Sequence, residues 1–298
     1  LEKSAVAAGT SSKSSKLIHG GLRYLESLQF GLVRESLSER ATLLRLAPDL
    51  VHLSSVHIPL YKNSARSPLE VRLGLSLYSL LGGLGRENRF ESLPASCWGQ
   101  LDGLKLDQLR AIFRYQDGQT DDAALTQRVL QSAIKLGVEF CCPAEMISCT
   151  RKDQSYHLEV ETATGCQQLE TSFLLDASGP WAAQQGRIYH PSFPIPPVSL
   201  VRGSHILIDA YPKHGIYYCE SPDDKRPVFV MPYHGKCLIG TTECAYEGEP
   251  ANVKCSAQEE DYLCRCYAHF FPNKPIKILD RFAGLRVLPA AQSGLQKR

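Results

Sequence analysis

A two-part α/β fold is predicted for this 298-residue sequence by three observations. Strand and helix patterns alternate up to about residue 180, the order that builds a mainly parallel sheet, with one inserted β-ribbon. After the proline-rich stretch 191–197 the texture changes to short apolar runs joined by tight turns, which predicts an antiparallel sheet and a second domain. The run 9–24 is dense in hydroxyls, glycine and cations and contains no acid. Hydroxyls and exposed main-chain N–H groups are donors, and adjacent glycines let the backbone approach a flat ligand, so this run predicts a phosphate cradle at a sheet edge.

The elements follow in order. Leu1-Glu2-Lys3 reads as the end of a strand, with Glu2 placed to accept hydrogen bonds from the ribose of an adenosine. The glycine-rich loop that would precede such an acid is not in the sequence, and residue 1 is not Met, so the chain is expected to be a piece of a longer one. Apolar positions in 25–46 recur near a 3.6 period and predict a helix stopped by Pro48. A strand is expected at 56–60 and a Leu-rich helix at 66–85, its glycine cluster forming a turn. Asp117-Gly118 predicts a turn, and Asp121 or Asp122 the cap of a helix that ends before Gly137. Strands are expected at 138–140, continuing across a break through 141–147, and at 156–161, where a Thr-Gly turn leads to a partner. Residues 173–177 read as a short buried strand running into Ser178-Gly179-Pro180-Trp181, the kind of strand end where α/β folds bind ligands. Beyond 197, strands are expected at 204–208, 228–232, 237–240 and 281–287. Ser256-Ala257-Gln258-Glu259 is a capping box that opens a helix to about 271. The tail 290–298 has no periodic pattern.

Composition narrows the function classes. Hydrophobic residues make up 43% and charged residues 21%, which argues for a globular chain. The net charge of +2 and the dispersed basic residues argue against nucleic-acid binding. Eleven cysteines fit no zinc spacing and form no Cys-x-x-Cys pair, so buried reduced thiols and no metal are expected. The uncharged stretch 73–85 is too short to span a bilayer, which takes about 20 residues, and predicts a core helix or an interfacial one.

Seven segments carry a family resemblance. The first is Thr10-Ser11-Ser12-Lys13-Ser14-Ser15-Lys16-Leu17-Ile18-His19-Gly20-Gly21-Leu22-Arg23-Tyr24-Leu25. Then come Leu32-Val33-Arg34-Glu35 with Ala47-Pro48, Asp117-Gly118 with Asp121-Asp122-Ala123, and Ala177-Ser178-Gly179-Pro180-Trp181. Val201-Arg202-Gly203-Ser204-His205-Ile206, Leu238-Ile239-Gly240-Thr241-Thr242-Glu243 and Gly284-Leu285-Arg286 complete the set. In this order they resemble the FAD-dependent glycerol-3-phosphate dehydrogenases, within the FAD-dependent oxidoreductase superfamily.

The resemblance implies a Rossmann-like FAD domain of the glutathione-reductase or p-hydroxybenzoate-hydroxylase type, at 1–55 and 118–197. It implies an antiparallel-sheet substrate domain at 56–117 and 198–289. It also implies oxidation of sn-glycerol 3-phosphate to dihydroxyacetone phosphate by hydride transfer to FAD, with quinone taking the electrons. The enzyme would sit peripherally on a membrane, on the cytoplasmic face in bacteria or in mitochondria if eukaryotic, and a homodimer is allowed. Two features of the family pattern are not in the sequence, the N-terminal glycine loop and a C-terminal segment beside the flavin. Asp176-Ala177-Ser178 replaces the more usual Asn-Ala-Thr.

Oxidising a secondary alcohol with flavin needs C2 placed for hydride departure, a base for the hydroxyl proton, and cations for the phosphate. Arginine forks suit the last task. Cofactor contacts are expected from Glu2, Thr10, Ser11, Ser12, Ser15, Lys16, Leu17, His19, Met146, Ala177 and Gly179, and substrate contacts from Arg23, Tyr24, His205 and Arg286. His19, His205 and Arg286 are the catalytic candidates, and the base stays open between the two histidines. The alternatives are a related FAD oxidase acting on glycerophosphate, an amine or an amino acid, and a non-catalytic fragment without a complete FAD site.

Overall fold

Residues 56–57 and 216–217 pair across the two halves of the chain. A computed structural model describes residues 1–189 and 198–289. The elements run β1 (Leu17–Ile18), α1 (Phe30–Leu46), β2 (Val51–Tyr61), α2 (Pro68–Leu81), β3 (Phe90–Ser92), α3 (Ala95–Trp98), β4 (Leu109–Thr120) and α4 (Asp122–Lys135). A ribbon of β5 (Ala144–Lys152), β6 (Ser155–Thr162) and β7 (Gly165–Thr171) follows, then α5 (Ala182–Tyr189). The second half holds β8 (Val198–Ile208), β9 (Ile216–Glu220), β10 (Pro227–Tyr233), β11 (Lys236–Gly240), β12 (Cys244–Tyr246), α6 (Ala257–Phe270) and β13 (Ile278–Pro289).

One ten-stranded sheet runs β1-β4-β2-β9-β10-β11-β8-β12, with β3 on β4 and β13 on β8. The α/β class is borne out. The sense of the strands is not the parallel one that the helix-strand order suggested: β2 and β9 pair in parallel over Val56↔Ile216 and His57↔Tyr217, and every other ladder among the described residues is antiparallel. Two apolar clusters line the large sheet. One joins Ile206, Ile208 and Val228 to Leu263, Cys266 and Phe270 of α6. The other joins Val33 and Leu37 of α1 and Leu75 and Tyr78 of α2 to Val56, Phe113 and Met231.

The helix ends are local chemistry. Ser67 and Glu70 form a reciprocal capping box at α2, as Ser256 and Glu259 do at α6. The Asp121 carboxylate accepts from Ala124 N–H at 3.0 Å and starts α4.

Four segments depart from the sequence reading, the first being Leu1-Glu2-Lys3, which forms no strand. Asp117-Gly118 is not a turn but lies inside β4. Arg40 draws the Asp117 carboxylate inward at 2.6 Å, and a Cβ on Gly118 would stand 2.7 Å from the Ile18 carbonyl, so the bare glycine lets β1 pair there. Residues 138–140 form no strand; the nearby backbone instead bridges to Glu2, whose N–H donates to Cys141 O at 3.0 Å and whose carbonyl accepts from Ala144 N–H at 2.8 Å. Residues 173–177 form no buried strand. Phe173 is 88% and Leu175 90% exposed, and this backbone closes on local groups, Thr171 Oγ1 and Asp176 Oδ1. The proline-rich crossing 191–197 and the tail 290–298 lie outside the described residues. All eleven cysteines are free thiols, but Cys141, Cys142 and Cys166 are exposed rather than buried.

The parallel junction buries a titratable group. His57 stacks on Tyr217 at 5.3 Å, and burial pushes its pKa down to about 4 against the opposing Ile216 backbone bond. The unfolded chain, with an ordinary value of 6.5, takes the proton first. The stability this neutral histidine contributes is present above pH 6.5 and is lost as pH falls towards 4, by about 3 kcal/mol. Thermal unfolding of wild type and His57→Phe between pH 7 and 4.5 checks this: the variant keeps a stacking ring and is expected to show the flatter profile.

Candidate active site

The opening run crosses β13 and β8. Thr10 Oγ1 donates to Leu285 O on β13 at 2.9 Å, and Ser15 Oγ meets His205 Nε2 on β8 at 3.1 Å. A Cβ on Gly240, at the end of β11, would overlap the His205 ring, so that glycine is a steric requirement.

Asp122 holds the run in place. Its carboxylate accepts from Ser14 N–H at 3.0 Å, Ser14 Oγ at 2.7 Å and Lys16 Nζ at 2.6 Å. Lys16 also donates to Ser12 O at 2.7 Å and is buried, with its ammonium 5.2 Å from the Phe282 ring centre and 5.4 Å from that of Tyr233. Both neighbours of Ser15 are therefore fixed, and Ser15 is presented to His205.

His205 is 2% exposed and stacks on Phe282 at 4.9 Å. Burial, then the charges of Lys16 and Arg286, push its pKa down to about 3, so the ring is neutral at neutral pH. Its Nδ1 is buried and meets no partner among the described residues. A neutral imidazole with an unused nitrogen is equipped to exchange a proton with a ligand. Arg286 projects beside it, with Nη2 at 3.3 Å from Thr241 Oγ1 and Nη1 at 3.9 Å from Glu243.

Ser204, next to His205, stands on a buried pedestal. Ser204 N–H donates to Thr242 Oγ1 at 2.8 Å, and Thr242 donates to Glu259 at 2.7 Å, the same carboxylate that caps α6. Burial alone would raise the Glu259 pKa, but the bonds from Thr242 and Ser256 outweigh it and hold the carboxyl below its ordinary range.

The remaining candidates are spread more widely. Gly20 N–H is held by Tyr78 OH at 2.9 Å and Asp117 Oδ1 at 3.4 Å, within the Arg40–Asp117 network. His19 is exposed and accepts from Gly21 N–H at 3.1 Å. Leu17 pairs with Gln119 in β1. Arg23 is exposed and lines a separate cavity under α2, while Tyr24 packs against the apolar cluster there. Glu2 is bridged to 141–144, Met146 on β5 packs into the ribbon's own apolar cluster, and Ala177 and Gly179 are exposed around Ser178. Asp122, Thr241, Phe282 and Glu259 carry site structure that sequence reasoning did not assign. The Asp121-Asp122 doublet was a usable signal, since one acid caps the helix and the other is free to bind the loop.

The donor set accommodates a dinucleotide phosphate. The turn Thr10–Ser12 has no side-chain cap, which leaves its first N–H groups without intrahelical partners, and Ser178 Oγ is buried with no partner among the described residues. Thr10 and Ser12 hydroxyls are already engaged, with Leu285 O and Gly9 O, so main-chain donors and Ser11 carry more of that task than the sequence suggests.

Known proteins match this chain along most of its length. A sequence model of a family described as FAD dependent oxidoreductase matches residues 1–295. A glycerol-3-phosphate dehydrogenase of Pseudomonas aeruginosa is 37% identical over 296 residues, covering 96% of this chain and 56% of the relative. A D-erythritol 1-phosphate dehydrogenase of Brucella abortus is 35% identical over 292 residues, covering 96% and 58%. The chain thus spans little more than half the length of these curated relatives. The glycerol-3-phosphate dehydrogenase of Bacillus halodurans, solved with FAD, superposes with a TM-score of 0.72 at 21% identity, over 96% of this chain and 51% of that one.

Proposed function

Because the chain belongs to the FAD dependent oxidoreductase family, we propose that the protein it forms oxidises the secondary alcohol of a polyol phosphate, with glycerol 3-phosphate as the substrate and dihydroxyacetone phosphate as the product. The observation that carries this reading is the buried His205, bonded to Ser15 and flanked by Lys16 and Arg286.

FAD, the family's cofactor, would be held by Glu2, the N–H groups of Thr10 and Ser11, Ser15, Leu17, His19 and the 177–179 turn, with Met146 near the adenine. When bound it accepts the hydride that leaves C2. The other tasks fall to side chains. His205 takes the hydroxyl proton. Its pKa is pressed down by burial, Lys16 and Arg286, and a phosphate dianion beside those cations offsets their charge and raises the proton affinity of the ring when substrate is present. Arg286 and Arg23 hold the phosphate, Arg23 after a movement of the 22–25 turn from its cavity, and Tyr24 adds a hydroxyl. Thr241 and Glu243 aim Arg286. Lys16, neutralised by Asp122, serves to position the loop.

Quinone as acceptor and a peripheral seat on a membrane belong to the same proposal. No helix among the described residues is long and apolar enough to cross a bilayer. The test is product formation by the protein loaded with FAD, with glycerol 3-phosphate and D-erythritol 1-phosphate as competing substrates and a quinone analogue against oxygen as acceptor. Quinone-coupled turnover with glycerol 3-phosphate preferred is the expected result. Preference for the tetritol moves the substrate assignment, and turnover with oxygen alone overturns the quinone.

A further inference from the structure

The cavity that Arg23 lines has a chemistry of its own. It measures about 380 Å³ and lies between the turn Leu22–Leu25, α2 and β2. Its walls are Leu22, Leu25, Ile58, Leu60 and Leu77, and Leu73, more than half exposed, stands at its mouth. Volume and lining fall in the range of small-molecule sites.

Five charged residues rim it, and four are spoken for. Arg66 pairs with Glu26, Glu70 caps Ser67, and Glu220 accepts from Ala65 N–H at 2.8 Å. Arg23 alone makes no side-chain hydrogen bond or ion pair among the described residues. One free guanidinium at the edge of an apolar cavity selects a molecule with an apolar body and an acidic head.

Gly74 lines the cavity from α2. It sits inside α2, where glycine costs roughly 0.5–1 kcal/mol relative to alanine, and a Cβ there would meet nothing within 4 Å. A side chain at this position would enter the cavity.

We propose that this cavity binds a single-chain amphipathic anion, an aliphatic carboxylate or alkyl phosphate, with the chain against the leucines and the head on Arg23. Arg23 begins directly after Gly20-Gly21 and Leu22, so an anion held here keeps that arginine away from the substrate. This inhibitory consequence rests on the role given to Arg23 above; the binding itself does not.

Calorimetric titration of the full chain with decanoate and with decanol tests the binding without reference to flavin or turnover. One saturable site for decanoate is expected, with decanol at least tenfold weaker. Gly74→Leu is expected to weaken decanoate at least tenfold without lowering the unfolding midpoint. Undiminished binding to a folded Gly74→Leu protein, equal affinity for decanol, or no saturable site overturns the proposal. In turnover assays decanoate is expected to raise KM for glycerol 3-phosphate and leave kcat unchanged. If decanoate binds as described but KM does not move, the role of Arg23 in substrate binding fails while the cavity assignment stands.

Discussion

Replacing His205 by Gln is expected to slow substrate oxidation by roughly 10²–10⁴-fold, the usual worth of a positioned acid or base, while FAD content stays near that of wild type. The two readouts separate because Ser15 is the one proposed FAD contact that His205 bonds, and the 10–12 turn and the Ser178 region proposed to hold the dinucleotide lie outside its contacts. Gln preserves a hydrogen-bonding partner for Ser15 and cannot accept a proton near neutrality. Flavin absorbance per protein and the rate of anaerobic flavin reduction are the two measurements. Parallel loss of both would make the residue structural, and loss of neither would remove it from the reaction.

Breaking the Arg40–Asp117 pair is expected to cost about 3–5 kcal/mol, because removing one partner leaves the other charge buried. Arg40 is 1% and Asp117 2% exposed, and the guanidinium also reaches Asn88, Tyr78 and the Gln116 carbonyl. Burial raises the Asp117 pKa while Arg40 opposes it, so the carboxylate depends on this partner for its charge. Asp117→Ala and Arg40→Leu should each lower the denaturant midpoint sharply. Replacing both together should cost less than the sum of the single changes, since neither charge is then stranded. The single variants should also loosen FAD, because Asp117 and Tyr78 hold the Gly20 N–H and so fix the loop from His19 to Gly21. Unchanged stability in either single variant would mean that water already satisfies the pair.

What the sequence made legible is what depends on neighbours within a few residues. The Ser256–Glu259 capping box, the Asp121 cap and the stop of α1 before Pro48 all involve groups within one helical turn. The sense of the sheet was not legible, because it rests on pairings such as Leu53↔Gly118 and Val56↔Ile216 that no local pattern encodes. The same limit explains Asp117-Gly118: the dipeptide is turn chemistry locally, and Arg40, 77 residues away, makes it strand. For the site, the segments that form it could be named from their motifs. The Ser15–His205 bond, across 190 residues, and the use of Asp122 as an anchor could not.

We propose that buried His205, flanked by Lys16 and Arg286, serves a flavin-dependent oxidation of a phosphorylated polyol. The most direct measurement is the visible absorption spectrum of the protein loaded with FAD, recorded anaerobically before and after glycerol 3-phosphate. Bound oxidised flavin is expected to bleach fully on addition of substrate, with bleaching slowed in His205→Gln. A protein that binds FAD but is not bleached by glycerol 3-phosphate, or one that takes up no FAD, would contradict it.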